Sequence, residues 1–289
     1  MLSTLTLADG RTLEHLDAGT PDGIPLIFFH GTPSTGGQGA VVAEAARSHG
    51  VRLIAPSRPG YGVSTMSPPG LARTADDTLE LADRLGIGRF ALLGSSGGGP
   101  FALAMAAAVP DRISAITVLA SPGNYAEVKP EVLGDDDRRA LDLAAAGRFE
   151  DALEVMNTVA DADLQGLRGV SAEEFSGAMA KMGPPGGGWL NRHPELLKLF
   201  EDDFRRAITT SDGMSRDNLS WLREWDFDPA SVSIRVQLVY GESDRMAEVA
   251  HGEWLRDHLP DSELRVIPGD HGAVAFGAAE PFFATLATS

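Results

Sequence analysis

Residues 88–108 read GRFALLGSSGGGPFALAMAAA, a short apolar run that passes through a serine between glycines into an alanine-rich run. This pattern predicts a strand over residues 89–93, a sharp turn over 94–98 and a helix over 99–108. The turn matches the G-x-S-x-G pattern of a nucleophile elbow, in which a tight strand-to-helix turn exposes a serine hydroxyl. Flanking glycines let the strand and the helix approach each other. Ser96, at the tip of the turn, is therefore the candidate nucleophile.

The G-x-S-x-G pattern alone has low specificity, because the chain contains 33 glycines. A flexible glycine-serine linker is the alternative interpretation. The context favours the elbow, since a linker would not join an apolar strand to an alanine-rich helix. Pro100 falls in the first turn of the predicted helix, where proline is tolerated. We therefore expect the active site at this junction.

Apolar runs alternate with helical patterns along most of the chain. Residues 4–19 contain two alternating runs around Asp9-Gly10, which predict a β-hairpin. Besides the run before Ser96, further apolar runs predict strands at residues 25–29, 51–55, 113–120, 234–240 and 263–267. Strands that alternate with helices typically form a parallel sheet. The predicted fold class is α/β, with a mostly parallel, twisted sheet and helices on both faces.

Two helices between these strands have predicted bounds. A helical pattern covers residues 40–48. A second helix is expected over residues 75–85, with Thr74 as its N-cap and acidic residues in its first turn. Both helices are expected to connect strands of the sheet.

Residues 122–228 differ from the rest, because they contain no convincing strand pattern. Five helical patterns are found there, and a loop rich in glycine and proline lies at residues 183–188. We interpret 122–228 as an inserted helical lid. The core domain is then expected to consist of residues 1–121 and 229–289.

A serine hydroxyl needs a base within hydrogen-bond reach to act as a nucleophile. Of the seven histidines, His30 and His271 lie in the turns beyond the carboxyl ends of predicted strands, where reactive groups collect in open parallel sheets. In this architecture the order along the chain is serine, acid, histidine, so His271 is the candidate base. His30 and Gly31 are expected to support the loop that brings a backbone N–H toward Ser96. The other histidines lie in helices, in the hairpin or in the insertion: His15, His49, His193, His251 and His258.

Three acidic residues compete to orient His271. Asp244 ends the turn Gly241-Glu242-Ser243-Asp244 after a predicted strand, where its carboxylate can hold the imidazole and stabilise the imidazolium. Glu242 and Asp270 are the alternatives. Asp270 directly precedes His271 and is expected to cap its turn instead. Asp244 is therefore the candidate acid.

A tetrahedral oxyanion requires preorganised hydrogen-bond donors. The backbone N–H of Gly97, directly after the candidate nucleophile, is one candidate. The backbone N–H of Thr32, in the loop after the strand at residues 25–29, is the other. Together they are the expected oxyanion hole.

The bulk composition excludes several classes of site and partner. The chain has 289 residues and no cysteine, which rules out disulfides, thiolate zinc sites and a cysteine nucleophile. The formal net charge of −17 opposes phosphate backbones and anionic membrane surfaces, so no nucleic-acid or membrane partner is expected. Without metal-binding motifs, neither a metal nor a cofactor is expected. No bilayer-spanning run or signal-peptide pattern is found, and a cytoplasmic location is expected.

Taken together, these motifs resemble those of the α/β-hydrolase superfamily, specifically its branch of lid-bearing esterases, C–C hydrolases and aminopeptidases. The resemblance covers about residues 4–121 and 229–289. It is carried by His30-Gly31-Thr32-Pro33, Ser57-Arg58-Pro59-Gly60-Tyr61-Gly62, Gly94-Ser95-Ser96-Gly97-Gly98, Gly241-Glu242-Ser243-Asp244 and Asp270-His271-Gly272. It implies the α/β-hydrolase fold with a helical lid.

The resemblance also narrows the chemistry. Haloalkane dehalogenases and epoxide hydrolases of this fold carry an aspartate where Ser96 stands. Proline-specific aminopeptidases usually show H-G-G-P-G and a tryptophan after the serine, whereas this chain has Thr32 and Gly97 at the two positions. These differences argue against a dehalogenase, an epoxide hydrolase and a proline-specific aminopeptidase. The reactions that remain are hydrolysis of an ester, thioester or lactone and cleavage of an activated C–C bond.

The predicted function is that of a serine hydrolase that cleaves a small to medium organic ester, thioester or lactone through an acyl-enzyme on Ser96. The expected partner is a small-molecule substrate. Three alternatives stay open: a C–C bond hydrolase, a biosynthetic lyase or cyclase that uses the same three residues, and a non-catalytic ligand-binding protein.

Overall fold

Eight strands form one sheet in the computed structural model, which describes residues 2–182 and 188–288. The order across the sheet is β1-β2-β4-β3-β5-β6-β7-β8. The strands are β1 Leu2–Thr6, β2 Thr12–Gly19, β3 Ile24–Phe29, β4 Val51–Pro56, β5 Phe90–Ser95, β6 Ile113–Leu119, β7 Val236–Gly241 and β8 Ser262–Ile267. All the predicted strands are present, within a few residues of the expected bounds.

The sheet is mostly parallel, as predicted. β1 and β2 form the antiparallel hairpin, and β2 also pairs antiparallel with β4. The other neighbouring strands are parallel. β3 is paired with β4 on one side and with β5 on the other. The direction of winding thus reverses at β3, and in open α/β sheets the crevice at such a reversal is where ligands bind.

Helices connect the strands and cover both faces of the sheet. The helices of the α/β part are α1 Ala43–Ser48, α2 Leu71–Arg84, α3 Gly99–Ala108, α10 Val249–His258 and α11 Ala279–Leu286. Between β6 and β7 lie α4 Tyr125–Val128, α5 Asp135–Ala145, α6 Phe149–Leu164, α7 Ala172–Met182, α8 Pro194–Ala207 and α9 Asp212–Leu222.

The central strands are apolar on both sides because each face carries its own core. In β5, Phe90 and Leu92 pack with α2, α3 and α10. Ala91 and Leu93, which point the opposite way, pack with α1 and α11. Every residue of β5 is buried. This two-sided burial explains the continuous apolar run before Ser96, since strands of covered parallel sheets do not alternate in polarity.

The expected helix start at Thr74 is wrong. α2 begins at Leu71, four residues before the expected first helical residue, and Thr74 lies inside it with its hydroxyl bonded to Gly70 O at 3.1 Å. The first N–H groups of α2, on Leu71 and Ala72, donate to the Asp226 carboxylate at 3.1 Å each. A carboxylate far along the chain therefore replaces the local cap, which local sequence does not reveal.

Two other helix predictions need correction. The expected helix at 40–48 is divided into a 3₁₀ turn at Gly36–Val41 and the α-helix α1. The 3₁₀ turn starts at the Thr35 side chain, which accepts the Gly37 N–H and satisfies a donor that a helix start leaves unpaired. The short helix α4, capped by the Asn124 side chain, was not predicted.

The described residues of 122–228 form helices and no strand, in agreement with the sequence pattern. We call these residues the helical segment. One small core joins α5, α6 and α9, and another joins α7 and α8. Of the predicted glycine- and proline-rich loop, residues 183–187 lie outside the described residues. In the ranges that the structure describes, no helix has the length and apolar character that crossing a membrane requires.

Candidate active site

Ser96 lies at the junction between β5 and α3, with its backbone in the left-handed region at a φ of 50°. Few residues with a side chain adopt this conformation, which is disfavoured by about 1–2 kcal/mol. The turn is crowded: a Cβ on Gly98 would lie 2.1 Å from Phe29 O, and one on Gly94 would lie 2.7 Å from the Gly99 Cα. The glycines of the motif thus allow α3 to start directly against β3 and β5.

His271 lies beyond the end of β8, and its imidazole reaches across the carboxyl edge of the sheet to Ser96. Its Nε2 is 3.0 Å from the Ser96 Oγ. The side chain is 19% exposed, so part of it is accessible to solvent. This arrangement gives the Ser96 hydroxyl a proton acceptor within hydrogen-bond reach.

Asp244 contacts the other side of the imidazole. Its Oδ2 lies 2.8 Å from His271 Nδ1, and the carboxylate side chain is fully buried. The Oδ1 accepts the N–H groups of Met246 and Ala247 at 2.8 and 3.0 Å. These bonds fix the carboxylate, and the carboxylate in turn fixes the imidazole tautomer with its proton on Nδ1.

The two competing acids lie elsewhere. Asp270 accepts the Ala273 N–H at 2.9 Å and the Trp189 N–H at 3.0 Å, so it caps the turn that follows it. Glu242 is exposed. Among the three candidates, the hydrogen bond to His271 belongs to Asp244.

Thr32 and Gly97 meet beside Ser96. A Cβ on Gly97 would lie 2.5 Å from Thr32 Oγ1 and 3.3 Å from Thr32 N. Gly97 is the second residue of the 3₁₀ turn Ser96–Gly98, where N–H groups have no partner within the turn. The adjacent Gly31 is also close, since a Cβ there would lie 3.4 Å from the Ser96 Cβ. The loop after β3 and the elbow after β5 therefore present their backbones at one place.

His30 belongs to this loop but lies apart from the hydrogen bonds of Ser96. It is completely buried, with Nδ1 2.7 Å from Gly31 O and Nε2 accepting the Arg58 N–H at 3.2 Å. Burial, together with the charge of Arg58, holds the pKa of His30 well below its usual value. A neutral imidazole fits both bonds, because one nitrogen donates and the other accepts.

Three charged residues at this loop had no assigned role in the sequence analysis. Arg58 and Asp217 form a completely buried ion pair, with 2.6 Å between Nη2 and Oδ2. Asp203 is buried against Ser34 and Thr35, and burial raises the pKa of its carboxyl group. Arg58 had a signal, because it lies in the quoted motif at residues 57–62. Asp203 and Asp217 had none among 41 acidic residues.

The helical segment also contacts the turn that carries His271. The Trp189 N–H bonds to Asp270, and a Cβ on Gly272 would lie 3.7 Å from the Leu190 Cγ. Residues directly on either side of His271 thus touch the helical segment.

Among the residues that the structure describes, no three or more histidine, aspartate or glutamate side chains are grouped so that they could hold a metal ion. At the carboxyl edge of the sheet the structure brings together Ser96, His271, Asp244 and the backbones of two turns. This combination is suited to nucleophilic attack on an acyl carbon.

The sheet, the elbow and the order of motifs define an α/β hydrolase. The family model of the alpha/beta hydrolase fold matches residues 24–278, and the chain belongs to this family. A hydrolase from Pseudomonas aeruginosa PA01 has the same fold: it superposes with a TM-score of 0.69 at 21% identity, over 100% of this chain and 98% of that one.

Two curated relatives carry more specific names. A non-heme chloroperoxidase from Streptomyces lividans is 34% identical over 125 residues, which are 42% of this chain and 45% of the relative. The match thus spans less than half of that protein. A 2-hydroxy-6-oxo-6-phenylhexa-2,4-dienoate hydrolase from Burkholderia cepacia is 25% identical over 261 residues, 87% of this chain and 82% of the relative.

Proposed function

We propose that the chain is a serine hydrolase that cleaves a small to medium organic ester, thioester or lactone. The observation that carries the proposal is the continuous path of hydrogen bonds from Ser96 Oγ to His271 Nε2, at 3.0 Å, and from His271 Nδ1 to Asp244, at 2.8 Å. Membership of the hydrolase family supports the same conclusion.

In the proposed mechanism, the Ser96 Oγ attacks the substrate carbonyl carbon while its proton moves to His271 Nε2. The N–H groups of Thr32 and Gly97 bind the oxyanion that forms. His271 then gives the proton to the leaving oxygen or sulfur as the C–O or C–S bond breaks. Asp244 orients His271 and stabilises its imidazolium throughout.

The acyl-enzyme is removed by water in the second half of the reaction. His271 takes a proton from water, and the resulting nucleophile attacks the ester carbon on Ser96. When the tetrahedral intermediate collapses, the proton returns to Ser96 Oγ and the carboxylic acid leaves. No step of the proposed mechanism requires a cofactor.

We further propose that the helical segment, 122–228, is a lid on a core formed by residues 1–121 and 229–289. Its contacts at Trp189 and Leu190 with the residues beside His271 support this role. A small-molecule substrate would then bind between the lid and the carboxyl edge of the sheet.

Cleavage of an activated C–C bond is the second candidate. It is favoured by the likeness to the B. cepacia dienoate hydrolase, which extends over 87% of this chain. The same serine, histidine and aspartate would serve, and the difference lies in which bond breaks. Only product analysis separates this reaction, and a lyase or cyclase step, from ester hydrolysis.

The proposal is tested with a p-nitrophenyl ester series from acetate to decanoate, a serine-directed phosphonate probe and the variant Ser96→Ala. The expected result is hydrolysis and labelling by the wild type, with both lost in Ser96→Ala. Ser95→Ala is the matched control, because the neighbouring Ser95 hydroxyl is buried and donates to Ala275 O at 2.9 Å. It should keep the nucleophile reactive.

A folded wild type that neither hydrolyses esters nor reacts with the phosphonate would contradict the proposal. A wild type that reacts with the phosphonate but cleaves only 2-hydroxy-6-oxo-6-phenylhexa-2,4-dienoate would favour the second candidate. The length of the best ester chain would give the size of the acyl site.

A further inference from the structure

The turn Ser57-Arg58-Pro59-Gly60-Tyr61-Gly62 has no part in the proposed mechanism, yet Arg58 contacts each residue of the loop that precedes the cis Thr32–Pro33 bond. The guanidinium is completely buried. It donates to His30 O at 2.5 Å, to Gly31 O at 3.0 Å and to Thr32 Oγ1 at 3.1 Å. The Arg58 side chain thus donates hydrogen bonds to three consecutive residues of the loop, the last of which carries the Thr32 N–H.

The counter-ion of Arg58 comes from the helical segment. Asp217, on α9, is completely buried and accepts from Arg58 Nε at 3.0 Å and from Nη2 at 2.6 Å. The same carboxylate accepts the Thr32 hydroxyl at 2.7 Å. Thr32, Arg58 and Asp217 therefore form a closed triangle of hydrogen bonds directly beside the proposed oxyanion hole.

A second carboxylate of the helical segment binds the same loop two residues further on. Asp203, on α8, accepts the Ser34 hydroxyl at 2.5 Å and the Thr35 N–H at 3.0 Å, and it also accepts the Thr35 hydroxyl. The loop is thus fixed at Thr32 and at residues 34–35 by carboxylates that are not part of the α/β core.

We propose that Arg58 and Asp217 are positioning residues that hold the Thr32 N–H where the oxyanion develops. This proposal rests on the proposed serine hydrolase function. In this proposal α9 contributes to the active site, because the Thr32 N–H is correctly placed only while α9 is packed on the turn at residues 57–62. Lid movement during turnover is then confined to other parts of the helical segment.

The physical reason is the low dielectric of the site. A bidentate guanidinium–carboxylate pair that is buried away from solvent is rigid, because water does not compete for its hydrogen bonds. An oxyanion-hole donor stabilises the transition state only when it already points at the oxyanion, and removal of one donor lowers kcat about 10²- to 10³-fold. A displaced donor should produce a large part of that loss.

The first test is Thr32→Val, which removes the hydroxyl from the triangle but leaves the backbone N–H and the Arg58–Asp217 pair in place. We expect kcat for the best p-nitrophenyl ester to fall about 10- to 100-fold while KM stays within about twofold. Thr32→Ser retains a hydroxyl, and its kcat should exceed that of Thr32→Val about tenfold. Asp217→Asn should lower kcat at least as far as Thr32→Val.

The matched control is Ser220→Ala, on the same helix. The Ser220 hydroxyl is also buried, and it accepts the Gly70 N–H at 3.0 Å, a contact between the helical segment and the core that does not involve the loop of Thr32. Its kcat should stay within about twofold of the wild type. An equal fall of kcat in Ser220→Ala and Thr32→Val would overturn the proposal.

A second readout separates positioning from a merely structural role. With a trifluoromethyl ketone analogue of the best ester, Ser96 Oγ attacks the ketone carbonyl carbon and the serine proton moves to His271. The ketone oxygen then becomes an oxyanion in the oxyanion hole. The affinity of this analogue should fall in Thr32→Val by the same factor as kcat/KM. The affinity of the matching methyl ketone, which stays uncharged, should change less than twofold.

The outcomes are distinct. If the wild type hydrolyses esters and Thr32→Val keeps its kcat and its affinity for the trifluoromethyl ketone, this inference fails and the proposed function stands. If the wild type is inert toward esters and phosphonates, the proposed function fails, and this inference fails with it. If Asp217→Asn does not fold, Thr32→Val and Thr32→Ser decide.

Discussion

Gly213, near the start of α9, lies directly on the ring of Tyr61: a Cβ at Gly213 would be 2.6 Å from the Tyr61 Cδ1 and Cγ. Tyr61 itself is completely buried, and its ring meets His30 edge to face at 5.2 Å between centroids. The absence of a side chain at Gly213 is therefore what lets α9 approach the turn at residues 57–62. Asp217, one turn further along α9, can then reach Arg58.

Gly213→Ala should disturb this contact. The added methyl group needs space that the Tyr61 ring occupies, and overpacking of this kind lowers the free energy of unfolding by about 1–3 kcal/mol. Urea unfolding measures the change. Gly177→Ala on α7 is the control, because nothing lies within 4 Å of a Cβ there and alanine is the better helix former. Equal stability of the two variants would contradict the close contact.

Ser96→Gly should be at least as stable as the wild type and more stable than Ser96→Ala. Glycine adopts the left-handed conformation at Ser96 without strain, whereas alanine keeps the strain of about 1–2 kcal/mol. Thermal unfolding of the three proteins measures the order. Both variants should be inactive toward esters. A less stable Ser96→Gly would show that the elbow is not strained at this residue.

Asp244→Asn should lower kcat about 10³- to 10⁴-fold, because an amide at this position no longer holds the productive tautomer of His271. Asp270→Asn should lower kcat less than about tenfold, since the bonds of Asp270 go to the N–H groups of Ala273 and Trp189 and not to the imidazole. Steady-state kinetics on the best ester compares the two variants. The reverse order would assign the acid to Asp270.

Acid should destabilise the fold through His251. Burial, followed by the charge of Lys129, lowers the pKa of His251 to about 4 from its usual value of 6.5. As pH falls from 6.5 to 4, the unfolded chain takes up this proton and the folded chain does not. The contribution of neutral His251 to the free energy of unfolding is therefore fully present above pH 6.5. Roughly 3 kcal/mol of it is lost as pH falls to 4.

The variant His251→Asn tests the role of this histidine, because asparagine does not titrate. The asparagine side-chain oxygen can still accept the Gly123 N–H, which His251 Nδ1 accepts at 3.2 Å. Urea unfolding between pH 4 and 6.5 should give a smaller slope of free energy against pH than the wild type. An unchanged slope in His251→Asn would contradict the prediction.

Local signals in the sequence were sufficient for the sheet. The run before Ser96 is apolar at every position because β5 is buried on both faces, and this property is visible in the sequence without a partner. The turn at residues 94–98 is likewise specified by its own glycines. The candidates Ser96, Asp244 and His271 followed from strand ends and chain order, and the structure places their side chains within hydrogen-bond distance of one another. Their catalytic roles stay predictions.

Long-range contacts could not be read from the sequence. The start of α2 was misplaced because its cap, Asp226, lies 154 residues beyond Ala72. Asp217 lies 159 residues beyond Arg58, and nothing local distinguishes it from the other acidic residues among 41.

The sequence by itself therefore determined the strands, the elbow and the candidate catalytic residues, because tight turns and two-sided burial require particular residue types at consecutive positions. Only the tertiary structure decided which buried charges meet. A carboxylate acts as a cap or a counter-ion only when folding brings it to a donor, and for Asp203, Asp217 and Asp226 that donor lies on a distant part of the chain.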